Sequence, residues 1–491
     1  MILPYFVIIP LGAAFLIVLI SGRRETVAAA LSLAAAAALT VLSVYAFVVQ
    51  SGETLVYSLG GWKIPIGICL VQDALSSFML VMVSLIALTS LIFSLQYIRH
   101  LSSDWKYYAL FMTLVAGMNG VIVTGDLFNL FVFMEIALFA AFALVAYGSQ
   151  AHEFEAAFKY AVMGGISSSL ILVAIAVVYG ATSSLTMATI ARTLTGKDPF
   201  LVLWVGGLFM AGFGLKAAAM PFHAWLPDAH SSAPAPISAM LSGVLIKALG
   251  IYTLIRIFYN VLGAPALFLQ VFLVLGAVSI ILGVLLAIGQ WDIKRLLAYH
   301  SISQIGYILL GMGLNTTLGM AGAVFHLFNH AVFKSLLFYN AGALEMALGT
   351  RDLRDMGNVT KQLPITAHSS MIASLSISGI PPFNGFFSKV LIIVAAVQAG
   401  RPLFALLAVV GSLLTLASFM KVQRYGLRGE RPAGALIEPI GGGMNAAMAV
   451  LALLCLVSSL MIVPGIREWT LDPVVDVIMG KGQYILSVLG K

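Results

Sequence analysis

The stretch Gly214–Asp228, GLKAAAMPFHAWLPD, places a lysine, two prolines and a histidine inside a region that is otherwise apolar on both sides. A proline within a helix removes a backbone donor and clashes with the preceding turn, so a helix crossing this region should break near Pro221. A second stretch, Ser378–Lys389, SGIPPFNGFFSK, repeats the pattern: Pro382-Phe383 answers Pro221-Phe222, and each pair has a lysine close by. Irregular backbone at membrane depth is tolerated only where protein or a water-filled cavity meets the freed carbonyls and amides, and ion sites are often built on such discontinuous helices. A simple proline kink is the competing reading of each stretch alone. The shared dipeptide and neighbouring lysine favour two broken helices in an internal repeat.

The rest of the chain fits that setting. Of 491 residues, 61% are hydrophobic and 9% charged, and mean hydropathy is +1.05, whereas soluble domains are about a quarter charged. Apolar runs of about 20 residues, the length that spans a bilayer core, recur from Pro4 to Pro464 with short polar breaks. They predict one all-α polytopic membrane domain of about fourteen helices, starting near residues 4, 26, 74, 107, 127, 156, 200, 233, 265, 296, 317, 364, 402 and 443. Tyr5–Ile20 lacks a preceding basic region, and no small-residue cleavage pattern follows it within Ser21–Thr26, so it is expected to be a retained span. Cys69 and Cys455 lie far apart, which argues against a thiolate cluster or a CxxC zinc site.

The net charge of +7 could suggest nucleic acid, but in a membrane protein basic residues collect in cytoplasmic loops. Fourteen of the 26 basic residues fall in odd-numbered connections, among them Arg23, Arg24, Lys294, Arg351 and Arg431. Eight, including Arg256, Arg401 and Lys491, fall in even-numbered connections or the tail. Odd connections are therefore expected in the cytoplasm and both termini outside.

The remaining four basic residues, Lys216, Lys247, Lys334 and Lys389, fall within spans, as does the carboxylate of Glu135, which is expected to be well buried. Each charge near a helix centre costs about 2.5–3.5 kcal/mol on insertion scales, so five unpaired charges would cost on the order of 12–18 kcal/mol. Taken singly, each has a structural explanation, such as snorkelling at a helix end or a static ion pair. Hydrophobic folding gives no reason for the whole set. Lysine suits a proton relay because desolvation loosens its proton while a nearby carboxylate tightens it again. Glu135 and Lys216 are expected to pair across the interior and so control a neighbouring lysine.

In FHLFNHAVFKSLLF, Phe325–Phe338, His326, His330 and Lys334 follow at intervals of four and share one helix face. Neutral imidazole both donates and accepts hydrogen bonds, so this face reads as a wire of titratable groups. Metal or haem ligation by the histidines and plain polar packing are the alternatives. His223, Asp228 and His230 flank the first break and could form the mouth of the relay or plain loop surface; His300 and Ser303 suggest polar packing or a hydrated path, and His100, His152 and His368 are assigned to loops. No GxxxxGK[ST], GxSxG or HExxH motif occurs. Neither a catalytic centre nor a cofactor is expected in this chain.

These residues resemble the antiporter-like membrane subunits shared by respiratory complex I, membrane-bound hydrogenases and Mrp-type sodium/proton antiporters. The resemblance rests on GDLFNLFVFMEI (Gly125–Ile136), the long segment Leu215–Tyr252, WDIKRLLAYHSISQIGY (Trp291–Tyr307), the histidine segment and SGIPPFNGFFSK. It implies fourteen helices with two inverted five-helix repeats, the seventh and twelfth helices being broken. The divisions expected are 1–106, a first repeat over 107–260, a second over 261–425, and a last helix with tail over 426–491. The resemblance also implies that Glu135, Lys216, Lys247, Lys389 and the His326–His330–Lys334 segment carry protons through two half-channels joined by a hydrated axis. Partners would be other membrane subunits in a prokaryotic inner membrane, with sodium as a second ion or with iron-sulfur or flavin subunits. Lys389 differs from the complex I type that carries glutamate there, and the D-type Mrp subunit is the expected subtype. An anchor subunit without transport and a stand-alone transporter of organic substrates are the competing classes.

Overall fold

The computed structural model describes residues 2–20, 24–49, 53–100, 105–430 and 437–490. Arg23, Arg431 and Lys491, counted above for orientation, lie outside the described residues, as do Ser21–Gly22 of the segment inspected for cleavage and the side chain of His100. The chain begins with two apolar helices, α1 (Tyr5–Ile20) and α2 (Glu25–Val49). An antiparallel hairpin follows, β1 (Leu55–Ser58) with β2 (Cys69–Gln72), in the register Leu55↔Gln72. A purely helical reading missed this hairpin because each strand is only four residues long, too short for alternation to stand out from the apolar background.

Asp73, directly after β2, caps α3 (Ala74–Tyr97) in a reciprocal box with Ser76. The two orphan amides it satisfies fix where the helix starts. Next come α4 (Trp105–Val123), α5 (Leu127–Val145), α6 (Ala151–Thr182) and the short α7 (Met187–Leu194). The first expected break is present: α8 (Pro199–Ala217) stops and α9 (Trp225–Ser232) resumes after a turn. Ala218 ends α8 in the left-handed region at φ 53°, where its amide closes onto the carbonyls of Gly214 and Leu215. The second break separates α14 (Pro364–Ser378) from α15 (Asn384–Gln398), with Gly379 at φ 79°.

Between the breaks run α10 (Ala235–Val261), α11 (Ala266–Ile288), α12 (Ile293–Gly313) and α13 (Thr317–Leu348). The window of α10 that qualifies it as a span is entirely buried, and it winds as a π-helix over Leu241–Leu245, Lys247–Tyr252 and Arg256–Val261. Two glycines let it sit deep. A Cβ at Gly243 would lie 2.3 Å from Ser335 Oγ on α13, and one at Gly250 would lie 2.6 Å from Ala217 Cα at the end of α8. The chain finishes with α16 (Pro402–Leu427), α17 (Gly442–Ile462) and three short helices, α18 (Pro464–Thr470), α19 (Asp472–Met479) and α20 (Lys481–Leu489). This last segment is a folded cap, not a loose tail: Val474, Val475 and Ile478 are buried, and Asn260 Nδ2 donates to the Val477 carbonyl at 2.8 Å.

Ten helices among the described residues are long and apolar enough to cross a membrane. The other bundle helices are short, like α1, split at a break, or interrupted by polar side chains, like α12 and α13. Outward faces are apolar, for example Leu267, Val274 and Leu285 on α11, as a lipid solvent requires.

Candidate functional site

Lys216 occupies the last turn of α8, 4% exposed, just before the break. Its Nζ donates to the Gly164 carbonyl at 3.1 Å and to Ser168 Oγ at 2.9 Å, both on α6. Ser168 in turn donates to Glu135 Oε1 at 2.5 Å. Glu135 and Lys216, both described, form no direct ion pair, so the expected contact is corrected to a bridge through a hydroxyl. Glu135 is also half-buried, not well buried as expected, because its part of α5 reaches the outer face of the bundle beside the exposed Val132 and Phe139. A hydroxyl that accepts from an ammonium and donates to a carboxylate joins donor to acceptor in one direction. Ser168 sits in a run of three serines, and that polar run inside an apolar span was the available signal.

A small cavity beside Lys216, about 10 Å³ and lined by Tyr160, Trp225, Leu245, Ile246 and Leu249 among others, separates this group from the interior face of α10. That is close to the room one water needs. On α10, Lys247 is fully buried on a π-helical stretch, with its Nζ donating to the Ser242 carbonyl. Lys334, also fully buried, donates to the Leu297 carbonyl and lies 5.7 Å from the centre of the Phe338 ring. Lys389, 2% exposed, donates to the Ile377 carbonyl at 2.7 Å, and its Nζ lies 4.5 Å from the centre of the Tyr307 ring. Among the described residues, none of these three forms an ion pair.

The histidines tie the lysines together. His326 and His330 lie fully buried on α13 with their rings stacked at 6.3 Å. His326 contacts Ser388 Oγ at 2.9 Å and Gln304 Oε1 at 3.1 Å, whereas neither ring nitrogen of His330 has a protein partner. His330 lies within electrostatic reach of Lys247, Lys334, Lys389 and His326, which makes it the hub of the set. An imidazole with both nitrogens free can take a proton on one and release it from the other. His300 is buried as well, with Nε2 at 2.8 Å from Ser418 Oγ. Ser303 donates to the Ile280 carbonyl.

The three residues expected at the mouth do not form one group. His223 is half-buried, with Nδ1 near the Pro221 carbonyl. Asp228 bridges Lys159 at 2.9 Å and Arg295 at 2.7 Å. Partial burial would raise its pKa, but hydrogen bonds from these two cations outweigh that and hold the carboxyl below its usual range. His230 is completely buried between Trp225 and Phe338, so loop surface is the wrong description for it; it lies within reach of Lys334 and Lys247, and the Leu226 carbonyl is the one protein group near its ring nitrogens among the described residues. His152 and His368, assigned to loops, instead sit on α6 and α14.

Sequence reasoning also misplaced Arg256. It is not in a loop: it lies 3% exposed near the end of α10, paired with Asp73 at 2.5 Å. Tyr252 and Tyr484 both lie against its guanidinium. Asp73 is thus a deeply buried carboxylate of the interior, the burial that the sequence reading expected of Glu135, and its place just before an apolar run was the signal of a helix cap.

Residues 124–415 match the family described as NADH:quinone oxidoreductase/Mrp antiporter, transmembrane. Among curated relatives, the chain is 34% identical over 432 residues to the D-type subunit of the Na(+)/H(+) antiporter of Alkalihalophilus pseudofirmus, covering 87% of each chain. It is 36% identical over 447 residues to the N-type subunit of the NADH-quinone oxidoreductase of Desulforudis audaxviator, covering 87% of this chain and 88% of that one. Its fold superposes on a chain of the Mrp complex from Dietzia sp. DQ12-45-1b with a TM-score of 0.91 at 28% identity, over 100% of this chain and 99% of that one.

Proposed function

The chain belongs to the NADH:quinone oxidoreductase/Mrp antiporter transmembrane family, and on that premise we propose that it is the proton-translocating subunit of a multisubunit membrane complex, of the D type of sodium/proton antiporters. The observation that carries this reading is the line Lys247–His330–Lys334–Lys389. Four ionisable groups there share electrostatic reach in a buried interior and, among the described residues, have no carboxylate paired with them. A static scaffold would replace such groups with apolar residues at no loss of packing.

In this mechanism Glu135, Ser168 and Lys216 form the switch of the first repeat, residues 107–260. When a proton moves from Lys216 toward Glu135 through Ser168, a positive charge leaves the neighbourhood of Lys247. Lys247 then takes up a proton more readily, and when Lys216 regains its charge the proton on Lys247 is driven on through His330 to Lys334, or through His326 to Lys389 in the second repeat, residues 261–425. Protons, with sodium as the exchanged ion, are the species moved, and the chain carries no cofactor of its own. The excess of basic residues in the odd connections supports a cytoplasmic side for those connections and both termini outside, in a prokaryotic inner membrane.

A second reading, the pumping subunit of a redox-driven complex, is favoured by the likeness to the N-type subunit of an NADH-quinone oxidoreductase. Purification of the native complex through a tag on this chain, with partner identification and iron and flavin assays, separates the two. Partners without bound iron support the antiporter; iron-sulfur or flavin partners overturn it in favour of the redox arm. Within either complex, a Lys247→Ala variant that keeps full proton-coupled transport refutes the relay.

A further inference from the structure

On the face formed by the odd-numbered connections lies a cavity of about 420 Å³ whose lining includes Tyr97, Glu153, Lys294, Glu345, Arg351 and the segment Ser232–Pro234. Three side chains from separate parts of the chain, Tyr97, Lys294 and Arg351, converge there on Glu345 near the end of α13. Tyr97 donates to Glu345 Oε2 at 3.1 Å, Lys294 Nζ lies 3.8 Å from the same oxygen, and Arg351 Nε lies 3.8 Å from Oε1. The Glu345 side chain is 29% exposed to the cavity, whereas Lys294 is 2% exposed. Arg351 is held in turn by Asp292 at 3.2 Å and by the Ser231 carbonyl at 2.9 Å, and Glu153 faces the same space from α6.

The inner wall of this cavity leads directly to His230. Lys294 donates to the Ala233 carbonyl at 2.5 Å, and Ser238 donates to the carbonyls of both Ala233 and His230. Behind that wall the His230 ring stands between Trp225 and Phe338, fully buried, with the Leu226 carbonyl within reach of one nitrogen and the other nitrogen without a protein partner. Phe338 is also the ring beneath Lys334. A buried polar atom left without a partner costs about 1–3 kcal/mol, a penalty that persists where the group serves a function, such as receiving a proton.

We propose that this cavity is the proton intake of the chain, with Glu345 as the loading carboxylate and His230, behind the Ser232–Pro234 wall, as the first interior acceptor on the way to Lys334. A proton from bulk water binds Glu345 and removes the charge that Lys294 faces, so Lys294 and the Ala233 carbonyl it holds are free to shift. The proton leaves Glu345 for one nitrogen of His230, the proton on the other nitrogen passes to Lys334, and Glu345 returns to its anionic form beside Lys294. The inference rests on the proton-carrying reading of the interior line and adds where that line is loaded. Asp228, already held by two cations, takes no part.

The test uses the complete complex in sealed membrane vesicles, with proton flux followed by a pH-sensitive dye and assembly followed on native gels. Ser232→Cys should react with a membrane-impermeant cationic thiol reagent added on the odd-connection side, and flux should then fall at least tenfold. Gln362→Cys, on the same side and away from the cavity, should react without loss of flux. Glu345→Gln should lower flux about tenfold and Glu345→Asp should restore most of it; His230→Phe should match Glu345→Gln. Failure of Ser232→Cys to react, or full flux after it has reacted, overturns the proposal. So does full flux in both Glu345→Gln and His230→Phe in a complex that Lys247→Ala has stopped, and that result leaves the interior relay standing. Full flux in Lys247→Ala overturns the relay and the intake together.

Discussion

Replacing Ser168 by alanine isolates one link of the switch without removing a charge. The hydroxyl makes two bonds to charged groups, accepting from Lys216 at 2.9 Å and donating to Glu135 at 2.5 Å. A hydrogen bond to a charged group is worth about 1.5–3 kcal/mol, so loss of both sets an upper bound of about 3–6 kcal/mol on the coupling that the bridge supplies. Two features of the site reduce this. Lys216 keeps the Gly164 carbonyl, and half-buried Glu135 can recruit water in place of the hydroxyl. We take the net loss as about 1.5 kcal/mol, the worth of one such bond, which slows transfer roughly tenfold. The assay is proton flux in vesicles holding the assembled complex, comparing Ser168→Ala with Ser168→Thr, which keeps the hydroxyl. Thr should retain most of the flux and Ala should lose about nine-tenths of it, with equal amounts of complex. If Ser168→Ala transports at the full rate while Glu135→Gln does not, the carboxylate acts without the bridge and the reasoning from this geometry fails.

Lys247→Ala should abolish proton-coupled transport while leaving assembly intact, because removing a buried ammonium that has only a carbonyl partner relieves desolvation as it leaves a cavity; native gels and flux on the same membranes check both halves. Arg256→Ala leaves Asp73 charged and unpaired beneath the C-terminal cap and should cost about 3–5 kcal/mol, read as a clear drop in the melting temperature of the detergent-solubilised protein; an unchanged melt would mean the pair is not closed in solution. For Asp228 the folded-state pKa is lowered, so its contribution to stability is present above the ordinary carboxylate value near pH 4 and is lost as pH falls through the folded value. Because the pair is partly exposed, the contribution should be under about 1 kcal/mol. Asp228→Asn should narrow the gap between melts at pH 7 and below pH 4, and an identical gap would assign the acid sensitivity elsewhere.

What could be read from the sequence was whatever shows as an exception to an apolar background. Prolines inside spans announced the breaks between α8 and α9 and between α14 and α15, and four lysines at mid-span announced the interior line. Partners that are polar but common stayed hidden. Ser168, Gln304 and Ser388 look like ordinary helix residues until packing brings them to Lys216 and His326. The Asp73–Arg256 pair joins residues 183 positions apart, and each lies at a span end, where a charge costs little and draws no notice. His230 misled in the same way: it lies near a loop in the chain, yet it is completely enclosed, and Glu345, at the end of a helix, drew no notice although it faces a cavity. Position along the chain does not report depth when helices are broken.

The irregular backbone and the lysines have one physical cause in common. A regular α-helix uses nearly all its carbonyls internally, so an ammonium group away from water must share a carbonyl that is already bonded, as Lys216 does with Gly164 and Lys334 with Leu297. For the other two lysines the interruptions provide the acceptors. Lys389 donates to Ile377 in the last turn before the second break, and Lys247 donates to Ser242 within the π-wound part of α10, where carbonyls are offset from the α-helical pattern. Such an acceptor stabilises a charge without cancelling it, as a carboxylate would, so the proton remains transferable. Straightening α10 would therefore be expected to trap or expel the proton on Lys247 even with every side chain in place. On this view the breaks and the π-helical turns are as much a part of the relay as Lys247 and His330 are.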